Sequence, residues 1–180
     1  MLKIEIKEKG SESFYREVVN FQAQYRFILR NPARKLKDYF KQFRTLLILG
    51  SVFLAALIFM SIFWGASTLD YAIMAALAIA MAMCLAYLHM LGKALKTLMN
   101  DSRSSVLILD DSGVELNKED SQIVKLAWSN ISFIRLYANS LTFVSADQTG
   151  LIISIAKNYA GDIVSWMKDN QPNVSITGSL

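Results

Sequence analysis

The side chains that most often move protons, hold metals or attack substrates are scarce in this chain. Its 180 residues include one histidine, His89, and one cysteine, Cys84. Both fall inside a long apolar stretch. There a cysteine behaves as a small hydrophobe, and a histidine near the stretch's end reads as an interfacial or helix-contact group. No glycine-rich phosphate loop, no His/Cys set at metal-ligand spacing and no nucleophile elbow occurs. Asp110 and Asp111 are adjacent at a turn and read as solvated acids. Lys118, Lys125, Arg135 and Lys157 are too scattered to make a phosphate cluster. These residues predict no catalytic, cofactor-binding or metal site, and a protein that is not an enzyme.

The elements around them are more informative. Hydrophobic residues make up 53% of the chain and charged residues 19%, against roughly 25% charged in typical soluble domains. Between Thr45 and Gly92 the only charged side chain is Asp70. That block excludes an ordinary soluble globule and a disordered chain, and a single cysteine excludes a disulfide-built scaffold. It divides into spans 45–64 and 71–91, each about the 20 residues needed to cross a hydrocarbon core. The intervening residues 65–70 hold glycine, small polar side chains and an aspartate, which suit a turn. The reading is a transmembrane helical hairpin over 45–92, because helices satisfy their own backbone groups where lipid cannot.

The first span carries 12 Leu, Ile, Val or Phe residues and the second only six. In the second, Ala72, Ala76 and Ala80 recur every four residues, as do Ala78, Ala82 and Ala86. Small residues at that spacing let helices approach closely. Packing against the first span is the expected use of this row; assembly into a homo-oligomer is the alternative. Arg34, Lys35, Lys37, Lys41 and Arg44 precede the first span, and Lys93 and Lys96 follow the second. The connecting turn has no basic residue, so the positive-inside rule places both termini in the cytoplasm and the protein in the cytoplasmic membrane. The same residues suit anionic headgroups, so membrane lipid is an expected partner. The polar first 44 residues lack the pattern of a cleaved signal peptide.

In residues 1–44, Leu2 to Lys7 alternates apolar and charged residues, the pattern of a strand that must join a sheet. Ser11 then caps a helix whose Phe14, Val18, Phe21, Tyr25 and Ile28 form one stripe. The stripe is expected to pack on the carboxy-terminal domain, with the membrane surface as the alternative. Asn31-Pro32 interrupts this helix. A second helix is expected from near Pro32 through the basic cluster into the first span.

Residues 104–172 read as short strands at 105–110, 114–116, 122–128, 131–138, 141–146 and 151–156, separated by turn signals. A helix capped by Asn158 follows to about Asn170, with Tyr159, Ile163, Trp166 and Met167 on one face. Pro172 stops it, and 173–180 reads as a loose tail. Trp128 is expected to anchor the sheet, its indole N–H satisfied at the rim. The predicted fold is α+β: a transmembrane hairpin with a cytoplasmic antiparallel sheet closed by a carboxy-terminal helix, the plan of a pleckstrin-homology-like (PH-like) domain.

With those elements placed, the whole chain resembles the YcxB-like family of bacterial membrane proteins. Asp111-Ser112-Gly113-Val114 resembles the family's early turn. Trp128, Ser129 and Ile131 resemble its W-S-x-I segment, and Ile152 to Lys157 its penultimate I-P-K stretch. Ala156 departs from this pattern by standing where the family often has proline, which leaves Lys157 as the charged part of the motif. The resemblance implies a membrane setting and a PH-like domain, but no defined biochemical task. The expectation is therefore a non-enzymatic membrane protein that presents an interaction domain to a protein partner, with no nucleic-acid role, because the carboxy-terminal domain is acidic. An immunity protein against a toxin, or a subunit of an oligomeric channel or transport system, are the alternatives.

Overall fold

The computed structural model describes residues 1–6, 10–101, 104–118, 122–147, 151–171 and 176–178. The chain forms two compact units. One joins residues 1–36 to 97–180, and the other is the inserted segment 37–96.

The first unit contains two four-stranded sheets. Strand β1 (Leu2–Ile6) pairs with β2 (Ser105–Leu109), which pairs with β3 (Gly113–Lys118) and then β4 (Gln122–Ala127), all antiparallel. The second sheet has the order β7 (Ile152–Ala156), β6 (Ser140–Ser145), β5 (Ile131–Leu136), β8 (Ile176–Thr177). The amino-terminal strand thus joins the sheet as its alternation predicts, and Ile4 lies opposite Leu107. The proposed last residue of that strand, Lys7, lies outside the described residues.

One core fills the space between the sheets. Leu107, Leu109, Val114 and Leu126 meet Ile134, Leu141, Phe143, Ile153 and Ile155 there, and Ile163 and Met167 of helix α4 (Ala160–Asn170) close it. The opposite face of the second sheet is covered by helix α1 (Glu12–Arg30): Phe21 and Ile28 pack with Phe133 and Val144. Strand β6 is therefore buried along its whole length. Its alternate residues serve two different layers, as the period of two requires.

Gly113 has to be a glycine for lack of space. A Cβ there would lie 2.1 Å from the Leu126 carbonyl oxygen on the neighbouring strand.

The second unit holds all of helix α2 (Tyr39–Trp64) and most of helix α3 (Thr68–Asn100), which are 26 and 33 residues long. At about 1.5 Å per residue both exceed a hydrocarbon core of roughly 30 Å. Gly65 ends α2 at φ 79°, a conformation that favours glycine.

Several boundaries differ from the sequence reading. No helix starts near Pro32. Residues 35–38 are irregular, and α2 begins at Tyr39 because the Asp38 carboxylate caps it by accepting from the Lys41 N–H. Thr68, Leu69 and Asp70 belong to α3 rather than to the turn. Ser67 and Asp70 form a reciprocal cap, with the Asp70 carboxylate accepting from Ser67 N–H at 2.8 Å and the Asp70 N–H donating back to Ser67 Oγ at 3.3 Å. Asn158 is not a helix cap. A 3₁₀ turn spans Lys157–Tyr159, and α4 starts at Ala160 without a side-chain cap. Trp128 leaves the strand for a second 3₁₀ turn, Trp128–Asn130.

Residues 173–180 are not wholly a loose tail. Ile176 and Thr177 pair in parallel with Ile134 and Arg135, and Ile176 reaches the core. Pro172, the expected helix stop, lies outside the described residues.

Candidate membrane interface

The two long helices are apolar enough to cross a membrane, and few or none of the residues in their most apolar stretches are fully buried. Leu49, Phe63 and Met83 are each more than 60% exposed. One row of half-buried positions runs through Phe40, Phe43, Leu47, Gly50, Leu54, Leu57 and Ser61 on α2, and another through Met74, Leu77, Met81, Cys84 and Leu88 on α3, continued by buried Leu91; Tyr39 and Tyr87 are half-buried beside them. On both helices the spacing alternates between three and four residues. That is the 3.5-residue repeat of a seam between two helices. Gly50 sits in the seam, where a Cβ would approach Met81 Cγ to 3.2 Å.

The alanine row does not serve this contact. Ala72, Ala76 and Ala80 are all exposed, as are Ala78, Ala82 and Ala86. This corrects the expected packing against the first span. The longer Met and Leu side chains repeat every 3.5 residues and take the seam. A strict four-residue row drifts around the helix, away from that face.

At one end of the hairpin an aromatic cluster joins the helices. The Phe43 and Tyr87 ring centroids are 4.9 Å apart, and Tyr39 lies 6.2 Å from Tyr87. Lys37, Lys41, Arg44, Lys93 and Lys96 flank this end and are exposed. Cationic and aromatic side chains together suit the headgroup layer. Lys35 is also exposed, in the first unit. Arg34 is half-buried, with its guanidinium 5.3 Å from the Phe27 ring centroid.

Within the first unit, a set of polar contacts holds α1 and the segment after it on the second sheet. The Glu17 carboxylate accepts from the Asn139 backbone N–H at 3.2 Å and from Ser140 Oγ at 2.5 Å. The Tyr25 hydroxyl donates to the Asp147 carbonyl at 3.1 Å. Arg135 Nη1 donates to the Arg34 carbonyl at 2.9 Å and also to that of Pro32. On the other side, Lys118 pairs with Asp101 at 3.1 Å. Burial pushes the Tyr137 phenol up to about 12, with the Arg135 charge opposing the rise and the Glu17 charge adding to it. Among the described residues the buried Tyr137 hydroxyl makes no well-formed hydrogen bond, although the Arg135 guanidinium lies 5.0 Å from its ring centroid.

The remaining residues singled out from sequence are structural in their contacts. The Trp128 indole N–H donates to the Asp110 carbonyl at 2.8 Å, and its ring stacks on Trp166 at 6.3 Å. Ile131 packs against the core, and Ser129 is exposed. The Lys157 backbone N–H donates to the Asn139 carbonyl at 2.9 Å. Asp110 does more than face solvent. It accepts from the Ser112 hydroxyl and from the N–H groups of Ser112 and Gly113, and these bonds, the Ser112 hydroxyl first, hold its carboxyl below the ordinary value of 3.8.

Sequence reasoning missed Glu17, Arg135 and Tyr137. The turn Asn139-Ser140 was legible, but its carboxylate partner lies 122 residues away, and no local signal connects them. Among the described residues no group of His, Cys, Asp or Glu is arranged to hold a metal ion. Comparison of the chain with family models, with curated proteins and with solved structures returns no match.

Proposed function

We propose that this is a non-enzymatic integral protein of the cytoplasmic membrane, related to the YcxB-like family, whose hairpin anchors a PH-like interaction domain on the cytoplasmic side. The observation that carries the reading is the apolar surface of the 37–96 insert. Stretches of this size are buried in soluble folds, and left open they mark contact with lipid or protein. Connectivity supports the topology. The hairpin lies in the chain between β1 and β2, which are paired neighbours in one sheet. Strands bonded to each other occupy one side of a bilayer, so both ends of the hairpin return to that side. The basic residues at those ends favour the cytoplasm. Two sheets closed by α4 support the PH-like reading, and the outer strands β4 and β7 are edges at which a partner protein could add a strand.

Alkaline carbonate extraction of membranes from cells expressing the full chain tests the anchor, with retention in the pellet expected. Reporter fusions at Asp70 and after residue 180 test the topology. The expected result is an external Asp70 and an internal carboxy terminus. Release by carbonate overturns the reading.

Exposure of Ala72, Ala76 and Ala80 favours a second reading, assembly of copies through that face. Cross-linking in mild detergent that Ala76→Leu abolishes, with the monomer's helicity unchanged, supports it; a monomer at all concentrations removes it.

A further inference from the structure

We infer that the outer face of the last turns of α1 docks the sheet domain on an anionic phospholipid surface. The inference rests on the membrane reading above and adds a second contact with the bilayer, separate from the hairpin.

Helix α1 uses opposite faces for different purposes. Phe21 and Ile28 face the sheet. Arg26, Phe27 and Arg30 are exposed, and Phe27 is 51% exposed despite being aromatic. Arg30 is three residues from Phe27 and four from Arg26, so the three share one flank. Neither arginine makes an ion pair among the described residues. Arg34 brings its guanidinium over the Phe27 ring.

No acidic residue occurs between Glu17 and Asp38, while Arg26, Arg30, Arg34, Lys35 and Lys37 all do. Glu17, the acid that would weaken such a surface, is turned onto Asn139 and Ser140. What remains is a cationic flank around one exposed ring. Guanidinium groups pair with lipid phosphates, and a ring of this kind settles at the acyl boundary. An acidic protein surface would satisfy the charges but has less use for the exposed ring.

Tethering favours the contact further. Only residues 31–38 separate α1 from α2 along the chain, eight residues that span at most about 28 Å when fully extended. Arg135 holds part of that segment to the sheet. Docking is then intramolecular once the hairpin is inserted.

The test uses the full chain in nanodiscs of phosphatidylcholine alone or with about one-third phosphatidylglycerol, the anionic component that attracts basic residues. The variant Phe27→Trp is read by quenching from brominated acyl chains, with the parent protein measured in parallel to subtract Trp64, Trp128 and Trp166. The expected result is quenching at position 27 that rises about twofold or more with the anionic lipid and disappears at high salt. Arg26→Glu with Arg30→Glu should also abolish it. Equal quenching in both discs, or none, overturns the inference. Protection by soluble polyglutamate without any effect of phosphatidylglycerol also overturns it, in favour of a protein partner. Quenching of Trp64 separates the two readings. If Trp64 is never quenched, the hairpin is not inserted. If it is quenched and position 27 is not, only the docking fails.

Discussion

Arg135 on β5 and Arg34, four residues beyond the end of α1, are joined by a hydrogen bond of 2.9 Å from the guanidinium of one to the carbonyl of the other. The same nitrogen serves the Pro32 carbonyl. One side chain thereby fixes the path of the chain as it leaves the sheet domain for the hairpin. A hydrogen bond from a charged group contributes about 1.5–3 kcal/mol. Arg135→Ala should lower the stability of the sheet domain by about 2 kcal/mol on that scale. Arg135→Lys should restore only part of it, because an ammonium lacks the planar fork. Chemical unfolding in mild detergent, followed by tryptophan fluorescence, measures both.

Glu17 makes the matching contact near the other end of α1. Its carboxylate accepts from a backbone N–H and a hydroxyl on the β5–β6 turn. Glu17→Gln keeps the shape but loses the charge assistance, and should cost about 1 kcal/mol. Glu17→Ala leaves the turn donors without an acceptor and should cost about 2 kcal/mol. Amide exchange at Asn139 should rise in both variants, more in the second.

Tyr137 gives a prediction of opposite sign. Among the described residues its buried hydroxyl makes no well-formed hydrogen bond, and the nearby Arg135 side chain only partly offsets the effect of burial, so Tyr137→Phe removes a poorly satisfied group at little loss of packing. Stability should hold or rise by about 1 kcal/mol. In the parent protein the phenol ionises near pH 12 rather than at its ordinary 10. The native state therefore keeps a proton that the unfolded chain releases. The stability linked to that difference is complete below pH 10 and is lost as pH rises through 12. An ultraviolet titration that lacks the last phenolate step in Tyr137→Phe would verify the assignment.

Trp128 and Asp110 act together at the rim of the first sheet. Trp128→Phe removes the indole bond to the Asp110 carbonyl and should cost about 1–2 kcal/mol. The Asp110 carboxyl, held below 3.8 by Ser112 and Gly113, has the opposite pH signature to Tyr137. Its contribution is complete above 3.8 and is lost as pH falls through the lower native value. Ser112→Ala should move the Asp110 titration, followed by carboxyl NMR, back toward 3.8.

Much of the fold was legible because it is written in local patterns. Strict alternation at Leu2–Ile6 marks a strand, the 14–28 stripe marks a helix with a single buried face, and the charge-poor block marks two long helices. Ser11 caps α1 as its type predicts, accepting from the Phe14 N–H. The boundaries failed where one side chain outweighed a run. Asp38 started α2 at Tyr39, seven residues after Pro32, where the helix was expected to begin. Asp70, paired with Ser67, moved α3 into what reads as a turn.

Sequence alone therefore determined most of the helices and strands, though not their ends or the short strand Ile176–Thr177, and which residues are too apolar to face water, since hydrophobic periodicity and capping act over a few residues. The tertiary structure decided which surfaces meet. It placed the Met/Leu repeat rather than the alanines in the hairpin seam, and put Glu17 on a turn 122 residues away. It set Arg135 on the carbonyls of Pro32 and Arg34, and joined Ile176 to the edge of β5. Those outcomes depend on which distant groups lose their water together. Spacing along the chain does not encode that, whereas packing in three dimensions does.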